Sequence, residues 1–143
     1  DVVLTTEIIG GFGSETDAEF RDTCRIVEEA QLDSAYTFKY SERKHTIAAR
    51  KYADDVPDQV KGQRVLKLVE IQRAITAERN RHYIGKNVEI LVEGDATRSS
   101  TQGMGKTDGN ITVVWEKGIG DFRPGTLITK QIFDASAATL YGE

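Results

Sequence analysis

The sequence predicts an incomplete α/β unit, a long connecting helix and a small five-stranded all-β barrel, in that order. Three observations predict this arrangement. The first part is predicted to be strand, helix and strand, because a buried strand over residues 5–11, with the apolar pair Ile8-Ile9, precedes a helical pattern and a second alternating run. Residues 58–83 form one long charged stretch with helical periodicity. From residue 85 onward the chain consists of short alternating runs separated by glycine-containing turns.

The first unit is expected to be a right-handed β-α-β unit with parallel strands. Its first strand ends in the glycine-rich turn of residues 10–14, where the backbone can approach a ligand closely. Thr16 and Glu19 have the spacing of a capping box at the start of a helix over residues 18–30. Residues 34–40 alternate as a second strand does.

Two parallel strands and one helix cannot complete a sheet or a barrel, since parallel strands need neighbours and helices on both faces. The chain also opens at Asp1 without an initiator methionine. We therefore expect it to begin inside a domain and to expose apolar surface over its first 40 residues. Cys24 is the only cysteine, so this segment alone can form neither an internal disulfide nor a cysteine-ligated metal cluster.

After the β-α-β unit, residues 41–56 are predicted to be a loop with one short helix near residues 48–51, and Pro57 is predicted to start the long helix. The apolar residues of that helix are expected on one side: Val65, Leu68, Val69 and Ile75. Its basic residues are expected elsewhere: Arg64, Lys67, Arg73, Arg79 and Arg81. The pattern indicates an amphipathic helix that packs on the preceding unit.

The last part contains five predicted strands: residues 88–93, 103–107, 111–115, 127–133 and 139–141. The Asp-Gly-Asn sequence at residues 108–110 is typical of a hairpin turn. Five short strands with such turns indicate a small closed barrel of the oligonucleotide-binding (OB) type.

The formal net charge is −4, with 7 basic and 12 acidic residues in positions 1–57, 6 and 3 in positions 58–84, and 6 and 8 in positions 85–143. Positive charge is therefore concentrated on the connecting helix. Binding to nucleic acid would require a local basic patch, because the chain as a whole is acidic. No apolar stretch approaches the roughly 20 residues that a membrane span needs.

Several stretches resemble the radical-SAM methylthiotransferases. They are residues 6–16 (TEIIGGFGSET), residues 33–43 (DSAYTFKYSER), and Gln72 with residues 78–80 (ERN). Residues 85–94 (GKNVEILVEG), 103–107 (GMGKT) and 138–143 (ATLYGE) resemble the TRAM domain that ends these enzymes. The resemblance covers the whole chain in the family's order, and it is strongest to the tRNA subgroup that modifies isopentenyladenosine beside the anticodon. The chain departs from the family in two loops, at Gly13-Ser14 and at Lys44-His45.

The resemblance implies three segments: residues 1–57 as the end of a radical-SAM partial TIM barrel, residues 58–84 as the connecting helix, and residues 85–143 as a TRAM RNA-binding barrel. It implies that the parent is a cytoplasmic enzyme that uses S-adenosylmethionine and two [4Fe–4S] clusters and grips the anticodon stem-loop of tRNA. The segment has none of the cluster ligands. We therefore expect it to be inactive alone and to bind no cofactor unaided. Its expected contributions are tRNA binding and part of the active-site wall. Its expected partners are the anticodon stem-loop of tRNA and the upstream domains of its own chain.

Site residues also follow from the resemblance and from residue chemistry, and none of them is catalytic or metal-binding. Glu15 and Arg43 are predicted to contact S-adenosylmethionine, although Glu15 also fits a plain helix-start glutamate, and Arg43 and Lys44 also fit phosphate contacts. The predicted RNA contacts are Arg79, Arg81, Lys86, Arg98, Lys106 and Arg123. Trp115 and Phe122 are aromatic residues that could stack on bases. Because Trp115 alternates with Val113 on its predicted strand, packing in the barrel core or rim is the preferred interpretation for Trp115.

Two other functions stay open from the sequence. One is a ribosomal-protein methylthiotransferase of the same family, whose terminal barrel recognises protein. The other is a non-enzymatic RNA-binding adaptor made of a helix and a barrel.

Overall fold

The computed structural model describes residues 2–97, 99–118 and 123–143, and the chain divides into two compact units. The α/β unit comprises Val3–Ile75, and the barrel unit comprises Thr76–Glu143 together with Val2. Among the described residues, no helix combines the length and the apolar character needed to cross a membrane.

The α/β unit begins with strand β1 (Thr5–Gly10), helix α1 (Asp17–Ala30) and strand β2 (Ser34–Lys39). The two strands pair in parallel, which confirms the predicted topology. Helix α1 starts with the predicted capping box: the Thr16 hydroxyl accepts a hydrogen bond from the Glu19 amide, and the Glu19 carboxylate accepts one from the Thr16 amide at 2.8 Å. The box supplies partners for backbone donors that the first turn of a helix leaves unpaired.

Helices α2 (Ile47–Lys51) and α3 (Asp58–Arg81) follow. The predicted short helix lies where it was expected, and α3 ends two residues before the predicted end. The core of the α/β unit consists of Val27, Leu68 and Ile75, with Phe20 and Cys24 half-buried against it.

The predicted division of α3 into an apolar and a basic side was wrong at two positions. Val69 is exposed, whereas Arg64, expected among the outward basic residues, is buried. The buried positions of α3 within this unit are Lys61, Arg64, Leu68, Gln72 and Ile75. These positions recur at intervals of three and four and so share one side of the helix, and that side carries two cations because carboxylates face them.

The barrel unit contains five strands: β3 (Asn87–Ala96), β4 (Ser99–Lys106), β5 (Thr112–Glu116), β6 (Leu127–Ala135) and β7 (Leu140–Gly142). They close into a barrel in the order β3-β4-β5-β7-β6, which confirms the small five-stranded barrel. The β5–β7 pairing is parallel, and the other pairings of these strands are antiparallel. Closure gives each of the five strands a neighbour on both sides.

The barrel core consists of Ile90, Val92, Val113, Trp115, Ile132 and Leu140. Trp115 fills the interior beside Gly103, where an added Cβ would lie 2.5 Å from the indole ring. Trp115 is only 1% exposed, so it packs in the core and cannot stack on a base. The predicted hairpin turn connects β4 to β5, and Asn110 adopts the left-handed conformation there, with φ of 61°.

Candidate functional site

The glycine-rich turn after β1 is held tightly against α3 within the α/β unit. Gly11 has φ of +78°, and a Cβ at this position would overlap the side chain of Lys61. Its amide donates a hydrogen bond of 2.9 Å to the Glu15 carboxylate. Position 11 therefore requires glycine both for its backbone conformation and for the close approach of the helix.

Glu15 points toward the buried Arg64. One guanidinium nitrogen of Arg64, Nη1, donates to the Glu15 carboxylate at 2.7 Å and to the Glu15 carbonyl at 2.9 Å. The other, Nη2, donates to Asp17 at 2.7 Å. The side chains of Arg64 and Glu15 are 7% and 12% exposed, whereas that of Asp17 is 82% exposed. Burial acts to lower the pKa of Arg64, but the hydrogen bonds and charges of Asp17 and Glu15 outweigh it, so that this pKa lies above its ordinary value.

The same turn is fixed to the segment before α3. The Phe12 ring makes edge-on contacts with the rings of Tyr40 and Tyr52, with centroid distances of 4.9 and 5.2 Å. The Ser14 amide and hydroxyl donate to the two carboxylate oxygens of Asp55 at 2.6 and 3.0 Å. The Ser14 amide, followed by the Ser14 hydroxyl, lowers the pKa of Asp55 below its ordinary value. Ser14, one of the two departures from the family pattern in this turn, therefore has a defined partner.

Lys61 is a second buried cation in this unit. Its ammonium group forms an ion pair with Asp54 and lies 5.3 Å from the centroid of the Tyr40 ring. The burial of Lys61 and Arg64 was not predicted from the sequence. The signal was their spacing from Leu68, since positions 61, 64 and 68 fall on one side of a helix.

The two residues predicted to contact S-adenosylmethionine lie in two loops of the α/β unit. Glu15 follows β1 and Arg43 follows β2, and the carboxyl ends of parallel strands lie at one edge of a sheet. Arg43 is exposed, as is Lys44, and the Arg43 carbonyl accepts a hydrogen bond from the Thr46 hydroxyl at 2.8 Å. Their contact with a cofactor stays a prediction.

Three of the predicted RNA contacts gather near one end of β6. Arg79 and Arg81 lie in the last turn of α3, and Arg81 pairs with Glu78 at 2.7 Å. Lys86 is exposed, and its ammonium group lies 5.8 Å from the centroid of the Tyr83 ring.

Backbone and side-chain hydrogen bonds hold this group in place. The Gly85 amide donates to the Ile132 carbonyl at 2.7 Å, and the Ile132 amide donates to the Lys86 carbonyl at 2.9 Å. The Asn80 side chain donates to the Ser136 carbonyl at 2.8 Å. The end of α3 and residues 85–86 are therefore fixed beside the last residues of β6.

The other predicted RNA contacts lie elsewhere. Lys106 is opposite Leu91 in the barrel and donates to the Thr112 hydroxyl at 2.8 Å. Arg123 is exposed, one residue before the turn that bonds to Val92. Positions 86 and 91 are five residues apart along one extended segment, so the two groups are separated by about 16 Å. Arg98 and Phe122 lie outside the described residues.

The outward face of β3 is acidic. Glu89, Glu93 and Asp95 are exposed and alternate with the core residues Ile90 and Val92. Asp95 pairs with Lys117, which also donates to the Ser100 carbonyl at 2.8 Å. The charge of this face is unfavourable for a polyanion.

Comparison with known proteins identifies the barrel first. The family model described as "TRAM domain" matches residues 81–143. The five-stranded barrel and this match together define a TRAM-domain protein.

Curated relatives extend the match to the whole chain. The tRNA-2-methylthio-N(6)-dimethylallyladenosine synthase of Chlorobium limicola is 43% identical over 141 residues, which are 99% of this chain and 31% of the relative. The synthase of Porphyromonas gingivalis is 43% identical over 143 residues, 100% of this chain and 30% of the relative. That of Bacteroides fragilis is 41% identical over 143 residues, 100% of this chain and 31% of the relative.

Over essentially its whole length the chain is similar to the tRNA-2-methylthio-N(6)-dimethylallyladenosine synthases. It spans about 30% of the length of these relatives. The resemblance found in the sequence is therefore confirmed.

Proposed function

We propose that this chain is the C-terminal part of a tRNA methylthiotransferase, which adds a methylthio group to isopentenyladenosine next to the anticodon by radical S-adenosylmethionine chemistry in the cytoplasm. The observation that carries this proposal is the 43% identity, over 99% of the chain, to a relative named for this modification. The Chlorobium, Porphyromonas and Bacteroides relatives all carry the same tRNA-directed name, which favours tRNA over ribosomal protein as substrate.

The α/β unit is proposed to be the end of a larger partial barrel, with residues 1–57 in the barrel, 58–84 as the connecting helix and 85–143 as the TRAM domain. Apolar side chains on and near the two strands support this assignment, since Leu4, Ile9, Tyr36 and Phe38 are all exposed. Parallel strands are normally covered on both faces. Further strands and helices of the parent protein would bury these residues.

The residues of this chain do not fit a [4Fe–4S] cluster. Cys24 is the only cysteine, and no group of three or more His, Cys, Asp or Glu side chains within the described ranges could hold a metal ion. Any cluster would be held by other parts of the parent.

S-adenosylmethionine, when bound, supplies the radical that activates the adenine carbon. We propose that this chain forms one wall of the S-adenosylmethionine site, where Glu15 and Arg43, at the ends of the two strands, contact the cofactor. Arg64 fixes the Glu15 carboxylate in place. This carboxylate accepts hydrogen bonds from Arg64 and from the Gly11 amide. Because a carboxylate offers about four lone-pair positions, it can still accept a hydrogen bond from a ligand.

The barrel unit is proposed to bind the anticodon stem-loop through phosphate contacts from Arg79, Arg81, Lys86, Arg98, Lys106 and Arg123. Each neutralised phosphate releases counterions, so the affinity should fall as salt rises. The acidic face of β3 and the basic residues beside β6 together favour RNA binding near the end of β6.

The modification itself is tested in the source organism. Mass spectrometry of digested tRNA should show that the methylthio group on isopentenyladenosine disappears when the gene is deleted and returns when it is restored. Unchanged tRNA with loss of methylthiolation on a ribosomal protein would assign the other branch of the family. Loss of neither would favour the RNA-binding adaptor.

Binding is tested with the 143-residue chain and a fluorescent RNA stem-loop, by anisotropy at several salt concentrations. Lys86→Gln should weaken binding and reduce the slope of log affinity against log salt by about 1. Lys117→Gln is the matched control, because Lys117 is already neutralised by Asp95 on the acidic face. Equal effects of the two substitutions would refute the proposed phosphate contact.

A further inference from the structure

Phe133 is a large aromatic residue on the outside of the barrel, and the core does not use it. It is 55% exposed and lies at the irregularity in β6, where the pairing with β7 shifts between Ile132 and Asp134. A bulge of this kind turns a side chain outward and is common at functional positions. A single exposed apolar side chain is ordinary, whereas a contiguous exposed apolar patch marks an interaction site.

Phe133 continues an apolar row that crosses the outer surface of the barrel. Met104 is opposite Val114, and Val114 is opposite Tyr141. All three are half-buried, and they alternate with core residues, so they point outward. The Tyr141 and Phe133 rings are in contact, with centroids 6.4 Å apart. The row therefore ends in two adjacent aromatic rings.

Basic residues lie near these two rings, and one exposed carboxylate, that of Asp134, lies opposite Tyr141. The backbone of residues 85–86 is hydrogen-bonded to Ile132, the residue immediately before Phe133, so the Lys86 backbone lies next to this part of β6, and its ammonium group lies 5.8 Å from the centroid of the Tyr83 ring. The Asn80–Ser136 hydrogen bond brings the last turn of α3, with Arg79 and Arg81, to the end of β6. Cations near exposed aromatic rings are a combination that binds unpaired nucleotides, because the cations hold phosphates and the rings stack on bases.

We propose that Phe133 and Tyr141 form a stacking platform for an unpaired base of the bound RNA, with Lys86 holding an adjacent phosphate. The inference rests on the proposed RNA-binding function of the barrel and specifies which residues of the barrel contact an unpaired base of that RNA. Trp115, the other aromatic residue of the described barrel that was considered for base stacking, lies in the core and cannot take this role. Stacking depends little on base identity. The platform therefore recognises unpaired bases, and other contacts would recognise the sequence.

The charge pattern selects RNA as the occupant over a second copy of this chain. A copy would present its own basic residues to the same patch, and the cations beside β6 would then repel one another. An RNA strand brings phosphates to these cations and bases to the rings.

The experiment measures the affinity of the 143-residue chain for two RNAs: a stem-loop with an unpaired loop and a blunt duplex with the same stem. Phe133→Leu keeps an apolar side chain but removes the aromatic face, and Phe133→Tyr keeps the face. Loss of one stacked base should weaken binding to the stem-loop by about 5- to 150-fold in Phe133→Leu. Phe133→Tyr should bind as the unsubstituted chain does, and neither substitution should change duplex binding or the salt slope.

Phe38→Leu is the matched control, because Phe38 is an aromatic residue of similar exposure in the α/β unit. It should leave RNA affinity unchanged. Two results would overturn the platform while leaving the proposed function intact: stem-loop binding unaffected by Phe133→Leu, or an equal loss for stem-loop and duplex. Concentration-dependent self-association that Phe133→Leu abolishes, with RNA binding preserved, would instead assign the patch to a second copy. Absence of RNA binding by the unsubstituted chain would overturn both the platform and the proposed RNA-binding role.

Discussion

Replacing Arg64 with methionine should selectively destabilise the α/β unit. Methionine keeps a long unbranched side chain but removes the guanidinium group that pairs with Glu15 and Asp17. The Glu15 carboxylate would then stay buried and would keep its hydrogen bond from the Gly11 amide. Removing one partner of a buried ion pair costs about 3–5 kcal/mol, because the other charge is left uncompensated.

The exposures of the two acidic partners separate their contributions. Asp17 is 82% exposed and would be hydrated after the substitution, so its part of the loss should be about 0–1 kcal/mol. Glu15 is 12% exposed and accounts for the rest. We therefore expect Arg64→Met to lower the free energy of unfolding by about 3 kcal/mol and Asp17→Asn by less than about 1 kcal/mol. Arg64→Met combined with Glu15→Gln should recover part of the loss, since no buried charge then remains.

Urea denaturation followed by two probes is the assay. Far-ultraviolet circular dichroism follows the helices, which are concentrated in the α/β unit. Fluorescence of Trp115, the single tryptophan, follows the barrel unit, where this residue lies in the core. The reasoning would be refuted if Arg64→Met changed the free energy by less than about 1 kcal/mol, the value of an exposed pair. It would also fail if the double variant were less stable than Arg64→Met alone.

Two further predictions concern the barrel core and the acid stability of the α/β unit. Gly103→Ala places a methyl group 2.5 Å from the Trp115 ring and should destabilise the barrel by about 1–3 kcal/mol in a fluorescence-monitored urea titration. Gly62→Ala, whose added methyl group meets no atom within 4 Å, should instead stabilise α3 by up to about 1 kcal/mol; a loss there as large as that of Gly103→Ala would contradict the packing explanation. Because the hydrogen bonds from Ser14 lower the pKa of Asp55, its stabilisation is present above the ordinary aspartate pKa of about 3.9 and is lost as pH falls through the lowered value. Asp55→Asn should therefore lower the urea midpoint at neutral pH and converge with the unsubstituted chain in acid; a difference that persists in acid would argue against a titrating carboxylate.

Local sequence patterns predicted the elements of both units because their causes are local. The alternation around Ile90 and Val92 places residues on the two faces of a strand, and this alternation follows from the backbone alone. The capping box at Thr16 and Glu19 depends on residues three positions apart. The turn ending at Asn110 similarly depends on the conformations that a few adjacent residues tolerate.

Contacts between distant residues decided the candidate sites. Arg64 is buried because Glu15, 49 positions earlier, is brought against it. Helical spacing places Arg64 on the side of Leu68, but the carboxylate that makes its burial favourable comes from a distant part of the chain. Trp115 is unavailable to a base because Gly103 on the neighbouring strand leaves space for its ring inside the barrel.

The sequence by itself determined the order of strands and helices, the closed barrel and the family resemblance, since these depend on periodicity, turn chemistry and shared motifs. Only the tertiary structure decided which charged and aromatic side chains face solvent. The irregular pairing of β6 with β7 accompanies the contact of Phe133 with Tyr141, and hydrogen bonds to Ile132 hold residues 85–86 nearby. These contacts join residues that are distant in the sequence, so no local pattern contains them.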